Sequence, residues 1–208
     1  MIVIGIDEAG RGSLIGPMIV AGVAIDENKL NFLKKTGVKD SKQLTRNRRN
    51  ELFGIITLHA EAFTVVKVYP NEIDNENLNE LTYKAMIKII HSLMSFNPRK
   101  ITIDKVGNTK VVEEEILKMG VEPNIVTNAD VNFVEASAAS IIAKVIRDNI
   151  IDELKLIYGD FGSGYPADPR TVEWVKKVYG SYSSPPPIIR RSWKILQEIA
   201  PKYYIRKW

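Results

Sequence analysis

Hydrophobic and polar positions change period several times along the chain, and each change marks an element. Residues 2–7 and 17–25 are apolar, β-branched runs and read as strands. Residues 61–68 read as a third strand. A helical pattern covers 44–58, and a longer one covers 77–95, where Leu78, Leu81, Ala85, Ile89 and Met94 recur near helical spacing. Asn97-Pro98 stops it. Residues 100–104 predict a short strand, 110–119 a helix, 123–126 another short strand, and 133–157 a long helix rich in Ala and Ile. Three early strands with short links predict an antiparallel meander. The later alternation with helices predicts parallel additions, so the expected fold class is α/β, a mixed sheet with helices packed on it.

The segment Gly159–Pro169 holds three Gly and two Pro and reads as a loop. Residues 169–179 are helical in pattern, Ser181–Pro187 is too proline-rich for anything but an extended linker, and 188–199 predicts a last helix. The organisation expected is a body, 1–158, followed by a helical C-terminal appendage, 159–208, a candidate moving flap.

Composition narrows the chemistry. The 208 residues include no Cys and two His, His59 and His91, 32 positions apart. Thiol nucleophiles, disulfides and cysteine zinc sites are excluded, and Ser–His–Asp chemistry has little to draw on. No apolar run reaches the ~18 residues that span a bilayer. The N-terminus meets Asp7-Glu8 without a basic leader, so a cytoplasmic protein is expected. Net charge is +4, but residues 185–208 alone carry six Lys/Arg against one Glu. A second basic cluster is Lys39, Lys42, Arg46, Arg48 and Arg49. Two basic patches on a near-neutral body favour a polyanion partner.

Asp7-Glu8-Ala9-Gly10-Arg11-Gly12 ends the first strand. Neighbouring strand residues point to opposite faces, so the two carboxylates converge only if the strand ends or bulges, which Gly10 and Gly12 permit. A lone Asp-Glu pair is more often a solvated strand end. Here Asp104 ends a second strand, and two strands ending in carboxylates make an acidic cluster at one sheet edge. Oxygen ligands without His or Cys suit Mg²⁺ or Mn²⁺. Asp130 precedes the long helix and doubles as a capping residue. Asp148 competes with it but falls inside that helix, on an expected solvent face.

Asp7–Gly12, Gly16-Pro17, Asp40-Ser41-Lys42-Gln43-Leu44, Ile103-Asp104, the Ala138–Val145 run with Arg147-Asp148, and Gly162-Ser-Gly-Tyr-Pro166 stand together in one order. In these motifs the chain resembles ribonuclease HII from residue 2 to about 195. Asp168-Pro-Arg-Thr and Arg190-Arg-Ser-Trp resemble its archaeal branch. The resemblance implies a ribonuclease H-like, five-stranded mixed sheet, with a C-terminal substrate-binding appendage. It implies cleavage of the RNA strand of RNA–DNA hybrids and incision 5′ to ribonucleotides embedded in duplex DNA, leaving 5′-phosphate and 3′-hydroxyl ends. Asp7, Glu8, Asp104 and Asp130 become the metal-binding and catalytic carboxylates for two divalent ions, Mg²⁺ or Mn²⁺. Gly10, Arg11 and Gly12 become the element that reads the 2′-hydroxyl, and Tyr165 the ring that packs on the next, deoxy, sugar. Ser41, Lys42, Lys144, Arg190, Arg191 and Lys194 become phosphate contacts. Trp193 stacks on nucleic acid or anchors the last helix.

The tail, Gln197-Glu-Ile-Ala-Pro-Lys-Tyr-Tyr204, has the spacing of a sliding-clamp-binding peptide. With Ala200 where a larger aliphatic is usual, however, a tail that packs its own aromatics is the favoured reading. A monomer is expected. The rival readings are another metal-dependent nuclease of this fold class and a non-catalytic duplex-binding protein. The first has no use for the Gly-Arg-Gly turn with Tyr165, and the second none for convergent carboxylates.

Overall fold

In the computed structural model, residues 1–39 and 43–207 are described. The expected phosphate contacts Ser41 and Lys42 therefore lie outside the described residues. Five strands form one sheet: β1 (Ile2–Ala9), β2 (Met18–Asp26), β3 (Ala62–Val68), β4 (Lys100–Asp104) and β5 (Glu122–Val126). Their spatial order is β3-β2-β1-β4-β5. The first three pair antiparallel, while β4 and β5 add parallel to β1. This is the mixed sheet that the sequence pattern predicts.

Helices α1 (Glu27–Thr36) and α2 (Arg46–His59) follow β2. The sequence reading missed α1, whose mean hydropathy is low. Its ends are nevertheless well marked: the Asp26 carboxylate accepts from Asn28 N, and Gly37 closes the helix at φ 105°. Helices α3 (Pro70–Asn75) and α4 (Leu78–Leu93) lead to a tight turn that stops at left-handed Asn97. Helices α5 (Lys110–Lys118), α6 (Ala129–Asn132) and α7 (Val134–Tyr158) complete the body.

The two sheet faces bury different helices. Ile4, Ile6, Ile101 and Ile103 pack against Met86 and Ile89 of α4. Ile19, Ala21 and Val23 pack against Ala138, Ile142 and Val145 of α7. The small residues of α7 let it approach β1 closely. At Gly5 a Cβ would lie 2.0 Å from the Glu135 carbonyl oxygen, so only glycine fits there.

Residues after α7 include α8 (Pro169–Ser181) and α9 (Leu196–Ile199). The expected helix over 188–199 is thus corrected to its last four residues. The preceding backbone is spent on the body instead. Ile189 bridges Ile15, and Arg190 N donates to Leu14 O. Arg191 N and Ser192 N both donate to the Asp74 carboxylate. A third core cluster, including Leu14, Ile15, Phe161, Val175, Leu196 and Tyr203, joins this segment to the body.

Candidate active site

Strand alternation assigns the acidic side chains to faces. Ile4 and Ile6 face α4, so Asp7 faces α7 and Glu8 faces α4. Asp104 shares the α7 face with Thr102, and the β1–β4 ladder ends one residue earlier at Ile6 and Ile103. Asp7 and Asp104 therefore stand in one row on adjacent parallel strands.

The expected bulge between Asp7 and Glu8 is absent. The β1–β2 register runs unbroken from Ile2 to Ala9. β4 stops at Asp104, which leaves the last residues of β1 unpaired on the flank beside Asp104. Asp7 is buried, and burial followed by the Glu8 charge holds its carboxyl well above the usual range. Burial also raises Glu8, Arg11 opposes the rise, and Asp104 adds to it. Asp104 Oδ1 accepts from Ala129 N at 2.9 Å. Asp130 is buried on α6, and its carbonyl accepts from Ser137 Oγ at 2.7 Å.

Among the described residues, no three His, Asp or Glu side chains close into a cage tight enough to hold an ion. The donor set nevertheless fits a hard divalent cation. It is all oxygen, and Glu8 Oε2 is buried with no hydrogen-bond partner among the described residues.

That misfit between charge and burial has a measurable consequence. A carboxylate raised in the folded state loses stability as pH climbs from its ordinary value through the raised one. Without divalent ions, melting temperature is expected to fall as pH rises above the ordinary carboxylate range, more steeply in the native protein than in Asp7→Asn. Mg²⁺ is expected to flatten the difference. Parallel melting curves in chelator would refute the charge assignment.

Beside the carboxylates lies a cleft of about 520 Å³ lined by Glu8, the Gly10-Arg11-Gly12 turn, Arg49, Lys144, Arg147, Asp148 and Tyr165. The structure thus brings the acidic pair, the glycine turn, Lys144 and Tyr165 to one place. Tyr165 is partly exposed, and the Arg147 guanidinium lies 4.7 Å from its ring centroid. The loop bearing it is firmly held. Gly164 O accepts from Leu14 N and Ile15 N, and Asp168 accepts from Ser163 N at 2.7 Å. That bond and the Arg170 guanidinium hold the Asp168 carboxyl well below its usual range.

The expectation for Arg190 is corrected here. Arg190 does not face phosphate: it is wholly buried, and its guanidinium donates to the carbonyls of Gly16 (2.9 Å), Arg11 (2.8 Å) and Gly10 (2.6 Å). Burial, and then the neighbouring Arg147 charge, push it down to about 9. Arg191 is half-buried, and its Nε donates to Tyr203 O. Trp193 proves an anchor, with Nε1 3.3 Å from Gly12 O and its ring over Arg190. Four carbonyls around the glycine turn are thereby tied to the C-terminal segment.

Arg11 reaches away to Thr82 Oγ1 at 2.6 Å and to Asn79 Oδ1. Asp148 is not on a solvent face; it lines the cleft, ion-paired to Arg49 at 3.0 Å. Sequence reasoning missed Ser140, which hydrogen-bonds Asp7, and the cleft role of Arg147. Their signal was present: Ser140, Lys144, Arg147 and Asp148 share helical spacing, a polar line beside the apolar face of the helix.

A sheet edge of carboxylates fit for hard cations, opening on a basic cleft, defines a metal-dependent phosphodiester hydrolase. The family model for Ribonuclease HII matches residues 4–196. Ribonuclease HII of Sulfurisphaera tokodaii is 79% identical over 208 residues, covering 100% of both chains. The crystal structure of the ribonuclease H2 from Pyrococcus horikoshii OT3 superposes with TM-score 0.87 at 40% identity, covering 98% of this chain and 99% of that one. The structure of a PCNA:RNase HII complex from Archaeoglobus fulgidus gives TM-score 0.83 at 37% identity, covering 95% of this chain and 96% of that one. The chain belongs to the ribonuclease HII family. It is a divalent-metal-dependent endoribonuclease of the ribonuclease H type, acting on RNA–DNA hybrids. No helix among the described residues is long and apolar enough to cross a membrane.

Proposed function

We propose that the chain, besides cleaving the RNA of hybrids, nicks duplex DNA 5′ to a single embedded ribonucleotide, leaving 5′-phosphate and 3′-hydroxyl ends. The observation that carries this reading is the single cleft shared by Glu8, the Gly10–Gly12 turn and Tyr165. Asp7, Glu8, Asp104 and Asp130 are the residues that would hold divalent ions, two in this reading. Bound there, the ions supply charge neutralisation at the phosphate and a water acidic enough to attack it. The chain supplies position. Lys144 and Arg147 present positive charge along the cleft, and Ser41 and Lys42 remain proposed phosphate contacts. The segment 159–208 serves as the substrate-binding arm, because it carries Tyr165 and ties down the glycine turn.

The turn reads the 2′-hydroxyl, the group that separates RNA from DNA. Its two glycines have separable duties. Gly10 has φ 79°, and a Cβ would lie 2.3 Å from Arg147 Nε and 2.9 Å from Pro17 O. Gly12 is exposed, and a Cβ there meets nothing within 4 Å. Gly10→Ala is expected to cost roughly 2–4 kcal/mol of stability. Gly12→Ala is expected to change stability by less than about 0.5 kcal/mol, yet to lower cleavage at a ribonucleotide. Thermal melts beside cleavage assays separate the two effects. Full activity in Gly12→Ala would remove the turn from substrate reading.

The direct test is a labelled DNA duplex carrying one ribonucleotide, with Mg²⁺, beside an all-DNA duplex and a long hybrid. A nick 5′ to the ribonucleotide is expected, with no cutting of all-DNA. Tyr165→Ala is expected to lower the junction nick about tenfold more than hybrid cleavage. Equal losses on both substrates would sink the junction-sensing role.

A sliding clamp is a second partner we infer, prompted by the Archaeoglobus fulgidus complex. Tyr203 is buried, with its hydroxyl on Val178 O and Tyr182 O. Docking through the tail would therefore rely on exposed Gln197 and half-buried Tyr204, or on local release of Tyr203.

A further inference from the structure

One row below Asp7 and Asp104, three strands align Gly5, Thr102 and Asn124 side by side. Glu135, in the first turn of α7, sits on that row and is only 2% exposed. Its carbonyl packs on Gly5. Its carboxylate accepts from Thr102 Oγ1 at 2.7 Å and pairs with Lys100 Nζ at 3.2 Å. Asn124 Nδ2 donates to the same Thr102 oxygen at 3.2 Å. Lys100 also lies over the Phe133 ring at 5.3 Å.

The reaction as described uses none of these groups, and a buried carboxylate is costly to keep. Its partners suggest what it is kept for. Thr102 stands two residues before Asp104 on β4, and Glu135 stands five after Asp130. Asp130 is held near Asp104 by Ala129 N, which donates to Asp104, and by Ser137 Oγ, which donates to the Asp130 carbonyl. Glu135 closes the loop of contacts by riveting the start of α7 to β4.

We propose that Glu135 is a positioning residue that sets the spacing between Asp104 and Asp130, and through it the affinity of the site for divalent ions. The inference rests on the reading of Asp104 and Asp130 as metal-binding carboxylates. Groups that orient a ligand carboxylate from behind change metal affinity or activity by ~10–100-fold when removed. Gln retains an acceptor for Thr102 Oγ1, whereas Ala retains nothing.

The experiment uses the full chain as Glu135→Ala, Glu135→Gln, Thr102→Val and Asp104→Asn. Mn²⁺ is titrated while melting temperature is followed, and hybrid cleavage is measured separately. In Glu135→Ala, half-saturation by Mn²⁺ is expected to rise about tenfold and kcat to fall about tenfold, with KM for the hybrid within about twofold of native. Glu135→Gln is expected to recover most of both losses. Should Glu135→Ala fail to fold, Thr102→Val removes one hydroxyl at constant shape and is expected to shift Mn²⁺ half-saturation in the same direction. A lower melting temperature with unchanged Mn²⁺ half-saturation and kcat, in Glu135→Ala or Thr102→Val, would make the network a brace of the fold and overturn the proposal. If Asp104→Asn itself leaves the Mn²⁺ response intact, the metal assignment beneath the inference fails first, and the two failures are told apart.

Discussion

Asp104→Asn is expected to lower kcat on an RNA–DNA hybrid by about three orders of magnitude, while the protein without divalent ions becomes no less stable. The rate loss follows from charge. Withdrawing one anionic ligand from a divalent site removes several kcal/mol of transition-state stabilisation, and ~4 kcal/mol is about 10³ in rate. The stability follows from the same charge with the opposite sign. Asp104 raises both Asp7 and Glu8, so its neutralisation relieves repulsion in the unloaded fold. Asn keeps the oxygen that accepts from Ala129 N, so the local backbone bond survives. Single-turnover cleavage beside a melt in chelator reads both. Native-like cleavage would remove Asp104 from the site. A large fall in melting temperature would mean that the carboxylate is structural.

The second large effect concerns Arg190. Arg190→Lys is expected to cost about 3–5 kcal/mol and to depress cleavage with it, since up to three buried carbonyls at ~1–3 kcal/mol each lose their donor. At roughly 2–4 °C per kcal/mol for a chain of this size, melting temperature falls on the order of 10 °C. Charge is conserved in this substitution, so a phosphate-gripping role predicts a mild effect instead. An ammonium cannot reproduce the planar fork that spans the Gly10, Arg11 and Gly16 carbonyls. A native melting temperature with weakened, more salt-sensitive substrate binding would return Arg190 to the substrate.

The contrast between these two residues marks how far the chain could be read without coordinates. Asp104 was legible because an apolar strand ending in a carboxylate is a local pattern, and its match with Asp7 needs only two adjacent parallel strands. The antiparallel-then-parallel sheet was legible for the same reason: strand and helix periods, and link lengths, are properties of short segments. Arg190 was misread because an arginine in a basic tail looks the same whether it meets phosphate or backbone. Its partners lie 174–180 positions away in sequence. The helix expected over 188–199 failed similarly, for its backbone polar groups found Leu14 and Asp74 rather than one another.

Glu135 and Arg147 complete the pattern. Both sit on a helix that was correctly expected, and neither stood out, because burial cannot be read from a residue type that is usually solvated. By itself, then, the sequence determined most of the elements, the mixed sheet, the acidic residues on β1 and β4 and the motif order of the family. Tertiary structure alone decided which charges are buried and which face the cleft, and that Asp7 and Asp104 share a row where β4 ends early, with no bulge in β1. Local patterns are written in neighbouring residues. Desolvation and distant hydrogen bonds depend on what the rest of the chain brings alongside, and those contacts turn a row of carboxylates and a glycine turn into a site.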